Sequence, residues 1–289
     1  MSEKNEKSVD LSDFMDELEK KAREKMQPGD YTGTDGLVYC GKCNTPKQMR
    51  VTTGFLAGRI VPCLCHCEKE KRDKEEAEEK EREKEKRVAE LKERGFLSRS
   101  MREWTFENDN GQNPQMQLAR RYVQEWEKMK EKNIGLLIWG DVGCGKTYLA
   151  TAIANALMGK EIPVRMTNFN AIMNDLSGSF EGRNEYLDRL SGCPLLIIDD
   201  FGMERGTDYG LELIYSVIDG RYRSRKPMIV TTNLTLTELR GATDTAHRRI
   251  YDRVLEMCVP VFCKGESRRK KTAEEKFREL KSILEEGDK

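Results

Sequence analysis

Residues 134–147 read IGLLIWGDVGCGKT, an apolar run that opens into a glycine-spaced loop and then into a helix-forming stretch. No other segment restricts the fold so tightly. A run this apolar suits a strand buried on both faces, and such strands belong to parallel sheets covered by helices. The loop is Gly140-Asp141-Val142-Gly143-Cys144-Gly145-Lys146-Thr147, followed by Tyr148. Its glycines let the backbone curl so that consecutive N–H groups face one anion. The positive end of the following helix adds to the same site.

This spacing assigns residues 140–148 to the phosphates of a nucleotide, with ATP as the expected ligand. Lys146 is expected to reach the β- and γ-phosphates, and Thr147 to offer its hydroxyl to Mg²⁺. Further apolar runs at 164–167, 194–198, 228–232 and 259–262 alternate with helical stretches, including 146–157, 209–223 and 245–257. Over 96–272 the pattern predicts an α/β P-loop domain with a five-stranded parallel sheet flanked by helices.

The run Leu195-Leu196-Ile197-Ile198 ends in Asp199-Asp200, placing two acids at the strand ends where ligands of open α/β sheets collect. Asp199 is expected to hold Mg²⁺, largely through water, and Asp200 to orient or deprotonate the attacking water. The run 228–232 ends at Asn233. If that strand lies between the other two, Asn233 can hydrogen-bond the water near the γ-phosphate.

The remaining sequence is of another kind. Charged residues make up 35 % of the chain, with 51 basic and 51 acidic side chains. No global field attracts polyanions, so nucleic-acid contact has to come from local patches. No apolar run reaches the roughly 20 residues that cross a bilayer, and the first residues lack a signal-peptide core, so no membrane role and a cytoplasmic location are expected. Leu11, Phe14, Met15, Leu18 and Ala22 mark one face of an amphipathic helix over 11–26, suited to a partner protein or to the neighbouring cysteine-rich stretch. From 68 to 95 nearly every residue is Glu, Lys or Arg. Such a run holds itself helical through i,i+4 ion pairs and reads as a solvated linker of roughly 40 Å.

Five of the nine cysteines crowd into 40–67, while Cys144, Cys193, Cys258 and Cys263 are scattered and read as small buried hydrophobes. Cys40-Gly41-Lys42-Cys43 resembles a zinc knuckle, and Cys63-Leu64-Cys65-His66-Cys67 follows about 20 residues later. Four thiolates satisfy tetrahedral Zn²⁺, and metal binding supplies folding energy that so small a region lacks. The expected ligands are Cys40, Cys43, Cys65 and Cys67, with Cys63 or His66 as alternatives in the second group. Residues 1–67 thus read as a helix plus zinc module and 273–289 as a polar tail.

The segments GLLIWGDVGCGKTYLATAIANAL, LLIIDDFGMERGTDYGLELIYSVIDGRYRSRKPMIVTTNL and RRIYDRVLEMCVPVFCKGESRRK together resemble the DnaC/IstB-like AAA+ ATPases. That resemblance spans about 96–272 and implies ATP hydrolysis in the service of DNA replication. It implies that Arg253, with Arg249 one turn earlier, completes the ATP site of a neighbouring subunit, and hence self-association through ATP-site interfaces. It implies that Arg269, or Arg268, senses the γ-phosphate of its own subunit. By the same resemblance, residues 1–67 grip a replicative DnaB-type helicase, which the ATPase domain loads onto DNA. An IstB-like ATPase that delivers target DNA to a transposase is the alternative. An Asp at 200, where many AAA+ motors carry Glu, implies slow hydrolysis.

Single strands are held by basic grooves with aromatic platforms. Phe180, Thr207 and Tyr209 lie in loops that resemble the single-stranded-DNA contacts of loaders. Arg183, Arg205, Arg221 and Arg223 stand nearby as candidate phosphate contacts.

Overall fold

A computed structural model of the chain describes residues 26–54, 56–109, 111, 114–177, 182–202, 208–265, 274, 276–281 and 283. The chain divides into two compact units, Met1–Glu83 and Lys84–Lys289. The expected amphipathic helix at 11–26 lies, but for its last residue, outside the described residues.

The first unit is built from two small hairpins. Strands β1 (Tyr31–Thr32) and β2 (Val38–Tyr39) pair antiparallel, as do β3 (Gln48–Arg50) and β4 (Ile60–Pro62). Its apolar interior is slight, and a buried ionic group does part of the work. Lys47, 8 % exposed, places its ammonium 2.9 Å from Asp30 and 3.3 Å from Glu68. Asp30 also accepts the N–H groups of Gln27 at 2.8 Å and Gly41 at 3.2 Å. These donors, the Gln27 N–H first, hold its carboxyl down at about 2.

Helix α1 (His66–Gly95) takes up the charged run. Its exposed face carries i,i+4 pairs such as Arg72–Glu76 at 3.4 Å and Lys71–Glu75 at 3.7 Å, each a small contribution in solvent. Its last turns belong to the second unit and pack there. Leu91 joins the core, Arg87 pairs with Glu161 at 2.6 Å, and the Arg165 guanidinium donates to the Arg94 carbonyl. At Gly95 a Cβ would come within 2.2 Å of the Met158 methyl and 2.6 Å of the Val164 carbonyl, so the close approach requires glycine.

The second unit holds a five-stranded parallel sheet in the order β6-β7-β8-β5-β9, with β5 Gly135–Trp139, β6 Val164–Thr167, β7 Leu195–Phe201, β8 Met228–Thr232 and β9 Cys258–Phe262. Alternate residues of each strand feed different cores. Leu136, Ile138, Leu195 and Ile197 pack with α2 (Met116–Gln124) and α4 (Lys146–Gly159) on one face. Leu137, Leu196, Ile198 and Val230 pack on the other with α5 (Phe169–Ser177), α7 (Asp208–Ser224) and α9 (Thr245–Met257). Short helices α3 (Trp126–Glu131), α6 (Arg183–Gly192) and α8 (Leu236–Arg240) also lie in this unit. The expected five-stranded parallel sheet is present, and β8 does lie between β5 and β7. Pro260 sits in β9, an edge strand, where its missing N–H breaks no ladder.

One expectation fails here. Arg221, expected from the sequence to be a candidate contact to DNA phosphates, has a fully buried side chain. Its guanidinium donates to the carbonyls of Ser191 at 3.0 Å, Cys193 at 2.6 Å, Pro194 at 2.9 Å and Pro227. Burial pushes its pKa down to about 10, which leaves it charged at neutral pH. The residue staples the turns that enter β7 and β8.

Candidate active site and metal centre

The P-loop leaves β5 at Gly140 and enters α4 at Lys146. Gly140, Gly143 and Gly145 have φ of 147°, 86° and 98°, a region that side-chain-bearing residues rarely adopt. At Gly140 a Cβ would also lie 2.4 Å from the carbonyl oxygen of Cys263. Asp141 and Val142 are exposed at the tip, whereas Cys144 and Lys146 are buried. The Lys146 ammonium spends its donors on Gly140 O at 2.8 Å, Asp141 O at 2.8 Å and Asn233 Oδ1 at 2.7 Å. Asn233 is thereby brought from the end of β8 into the loop. Tyr148 faces away and anchors α4, its hydroxyl donating to Thr105 O at 2.8 Å and its ring stacking on Trp104.

Between Ile198 and Phe201 the register of β7 against β8 slips by a residue, a bulge that accommodates Asp199 and Asp200. Asp199 is 6 % exposed. Burial is the main cause that raises its pKa, and the Asp200 charge adds to it. Hydrogen bonds from Thr231 and Thr147 oppose the shift. Asp200 is exposed, with φ of 53°.

Thr231, which the sequence marks only as a strand residue, holds the two acids in place. Its hydroxyl donates to Asp199 Oδ1 at 2.5 Å and accepts the Asp200 N–H at 3.0 Å. A β-branched residue in a strand is so ordinary that no sequence signal separates this Thr from its neighbours.

The sheet thus collects Lys146, Thr147, Asp199, Asp200 and Asn233 at one edge. A carboxylate beside a hydroxyl fits a hard cation that prefers oxygen ligands.

Arg253 lies on α9 but is engaged by α7 of its own chain. Its guanidinium is 2.7 Å from Asp219 and stacks over Tyr215 at 4.7 Å and Tyr222 at 5.6 Å. Arg249, one turn earlier, is exposed. Tyr209 is 43 % exposed at the start of α7, with the Arg183 guanidinium 5.5 Å from its ring. Arg223 pairs with Asp219 at 2.8 Å. Phe180, Arg205, Thr207, Arg268 and Arg269 lie outside the described residues.

In the first unit, the sulfurs of Cys40, Cys43, Cys65 and Cys67 lie within 4.8 Å of one another. A tetrahedron with Zn–S bonds of about 2.3 Å has sulfur–sulfur edges of about 3.8 Å, so these four fit one Zn²⁺. Cys63 stands apart and donates its thiol to Pro46 O at 3.4 Å, while the His66 ring faces Glu70 at 3.4 Å. Gly41 makes the knuckle possible, since a Cβ there would lie 1.9 Å from the Gly29 carbonyl. Thr45 caps the group by contacting Cys43 Sγ at 3.0 Å and accepting the His66 N–H at 2.9 Å.

The glycine loop, the strand acids and the interposed β8 define a P-loop nucleotide-binding protein of the AAA+ fold. Residues 56–276 match the model of the IstB-like ATP binding protein family, and the chain belongs to that family.

The phage-like element PBSX protein XkdC of Bacillus subtilis (strain 168) is 34 % identical over 147 residues, covering 48 % of this chain and 54 % of that protein. The replicative helicase loader DnaC of Escherichia coli (strain K12) is 30 % identical over 149 residues, covering 50 % and 58 %. The chain spans about half the length of the curated relatives it matches. A crystal structure of the DnaC helicase loader superposes with a TM-score of 0.51 at 24 % identity, covering 58 % of this chain and all of that one. That likeness establishes the shared fold.

Proposed function

We propose that this protein is an Mg²⁺-dependent ATPase that loads a replicative helicase onto DNA. The observation that carries the ATPase reading is the convergence of Lys146, Asn233, Thr147 and the Asp199–Thr231–Asp200 group on one loop. An arriving triphosphate takes the main-chain amides of 140–147, and Lys146 exchanges carbonyl acceptors for phosphate oxygens. Thr147 and Asp199 would hold Mg²⁺, which would supply positive charge against the developing charge of the triphosphate. Asp200 orients the attacking water and accepts its proton, and Asn233 hydrogen-bonds it. Arg253, reaching from an adjacent copy, and Arg269 complete the charge compensation in an oligomer.

Loading is supported by the relatives named as helicase loaders, among them DnaC of E. coli and DnaI of B. subtilis. The zinc module grips a DnaB-type helicase, with Zn²⁺ fixing its fold, and Phe180, Thr207 and Tyr209 contact single-stranded DNA. Among the described residues no helix is long and apolar enough to cross a membrane, which accords with work in the cytoplasm.

The test combines ATP binding by Lys146→Ala with co-purification from cells of a hexameric helicase or a transposase. Loss of at least tenfold in ATP affinity and recovery of the helicase support the proposal. Unchanged ATP binding overturns the site reading, and recovery of a transposase in place of the helicase overturns loading.

A further inference from the structure

The geometry points to Cys144 and Cys263 as a dithiol that closes into a disulfide and disables the nucleotide loop, an oxidative modification site inside the P-loop. The inference rests on the nucleotide-site reading above.

Cys144 is 3 % exposed and Cys263 fully buried. The Cys263 thiol donates to Cys144 O at 3.2 Å, and its one proton can turn instead to the Cys144 sulfur when that is ionised. Cys263 follows the last residue of β9, and its backbone is fixed. Its N–H donates to Trp139 O at 2.8 Å, and its carbonyl is pressed against Gly140. On the other side of the pair stands the Lys146 ammonium, 3.9 Å from Cys144 Sγ. The Cys263 hydrogen bond, opposed by burial and aided by the lysine charge, brings the Cys144 thiol down to about 6. A thiolate beside a resolving thiol oxidises reversibly where a peroxide can reach it, and Cys144 is the less buried of the two.

A peroxide supplies the chemistry. The Cys144 thiolate attacks one peroxide oxygen, the O–O bond breaks, and the leaving alkoxide takes the Cys263 proton. The Cys263 thiolate then attacks the sulfenic sulfur, the S–O bond breaks, and hydroxide leaves as water with a proton from solvent. In sum, two thiols and ROOH become one disulfide, ROH and H₂O; the sulfurs lose two electrons and the peroxide gains them.

The new bond draws the sulfurs to about 2.05 Å. Because Cys263 is braced, the displacement falls on Cys144, which is flanked by the positive-φ joints Gly143 and Gly145. Those joints carry the amides that face phosphate. Moving them removes the anion site.

The test uses the full chain with zinc bound, exposed to hydrogen peroxide. Peptide mass spectrometry detects the link, and a fluorescent ATP analogue reports affinity. The expected result is a Cys144–Cys263 disulfide, a loss of at least fivefold in affinity, and recovery with dithiothreitol. Cys263→Ala and Cys263→Ser retain their affinity through the same treatment, which separates this effect from oxidation of the zinc thiols. Absence of the linked peptide, unchanged affinity in the linked protein, or equal loss in both Cys263 variants overturns the inference. Failure of the reduced wild-type protein to bind ATP instead overturns the nucleotide-site reading.

Discussion

Thr231 Oγ1 lies 2.5 Å from Asp199 Oδ1 and accepts the Asp200 N–H at 3.0 Å, so a single hydroxyl sets the positions of two neighbouring acids. Thr231→Val keeps the shape of the side chain and deletes both bonds. The expected outcome is a fall of about tenfold or more in ATP turnover with a change below threefold in ATP affinity. Unfolding free energy should drop by about 1–3 kcal/mol, because a buried carboxylate oxygen and a partly buried N–H each lose a partner. Phosphate release and denaturant titration measure these quantities, and wild-type turnover would dismiss the positioning role.

Asp199 gives the site a defined pH response. Burial first, and the Asp200 charge, raise its pKa from 3.8. A raised acid favours the fold while protonated. That contribution is complete below 3.8 and is lost as pH climbs through the folded value. At neutral pH the ionised carboxylate is therefore a cost in the absence of a cation. Asp199→Asn should melt about 2–4 °C higher than wild type at pH 7 without divalent ions, the shift that about 1 kcal/mol produces in a domain of this size. The gap should narrow as the pH is lowered towards 4, and Mg²⁺ with ATP should stabilise wild type more than the variant. A lower melting temperature for Asp199→Asn at neutral pH contradicts the account.

The cysteine cluster separates five closely spaced thiols by geometry. Cys63→Ala should retain one equivalent of Zn²⁺ by elemental analysis, since its thiol faces Pro46 O. Cys65→Ala and Cys67→Ala should fall below half an equivalent, because each removes one of the four clustered sulfurs. Retention of full zinc by either variant would require a different ligand set.

Arg253 is held by Asp219, Tyr215 and Tyr222 of its own chain, and acting on a neighbour's nucleotide requires those contacts to be shared or exchanged. Arg253→Ala and Lys146→Ala should each retain under about a tenth of wild-type turnover. Mixed in equal amounts they should regain activity, because the intact site of one copy meets the intact arginine of the other. A mixture no more active than its components assigns Arg253 a role within its own subunit.

How much of this was legible in the sequence follows from what kind of signal each part leaves. The loop glycines, Lys146 and the apolar runs have fixed spacing and few alternative readings, so the sheet and its P-loop could be read directly. The end of β7 was less visible, because the strand continues through Asp199 and Asp200 to Phe201 by way of a bulge. Thr231 and Arg221 left no signal, for opposite reasons. A threonine suits any strand, and an arginine near a helix end is ordinarily solvated, whereas here four carbonyls replace its water. The pairing of Cys144 with Cys263 spans a gap in sequence that only the β5–β9 register closes.

The close packing at Gly95 bears on how the protein can be divided. Leu91, the Arg87–Glu161 pair and the Arg94 carbonyl all serve the nucleotide-binding unit. A recombinant fragment cut at residue 96 would uncover Met158 and strand Arg165, inviting aggregation. One begun near Lys84 keeps the final helical turns as an integral wall.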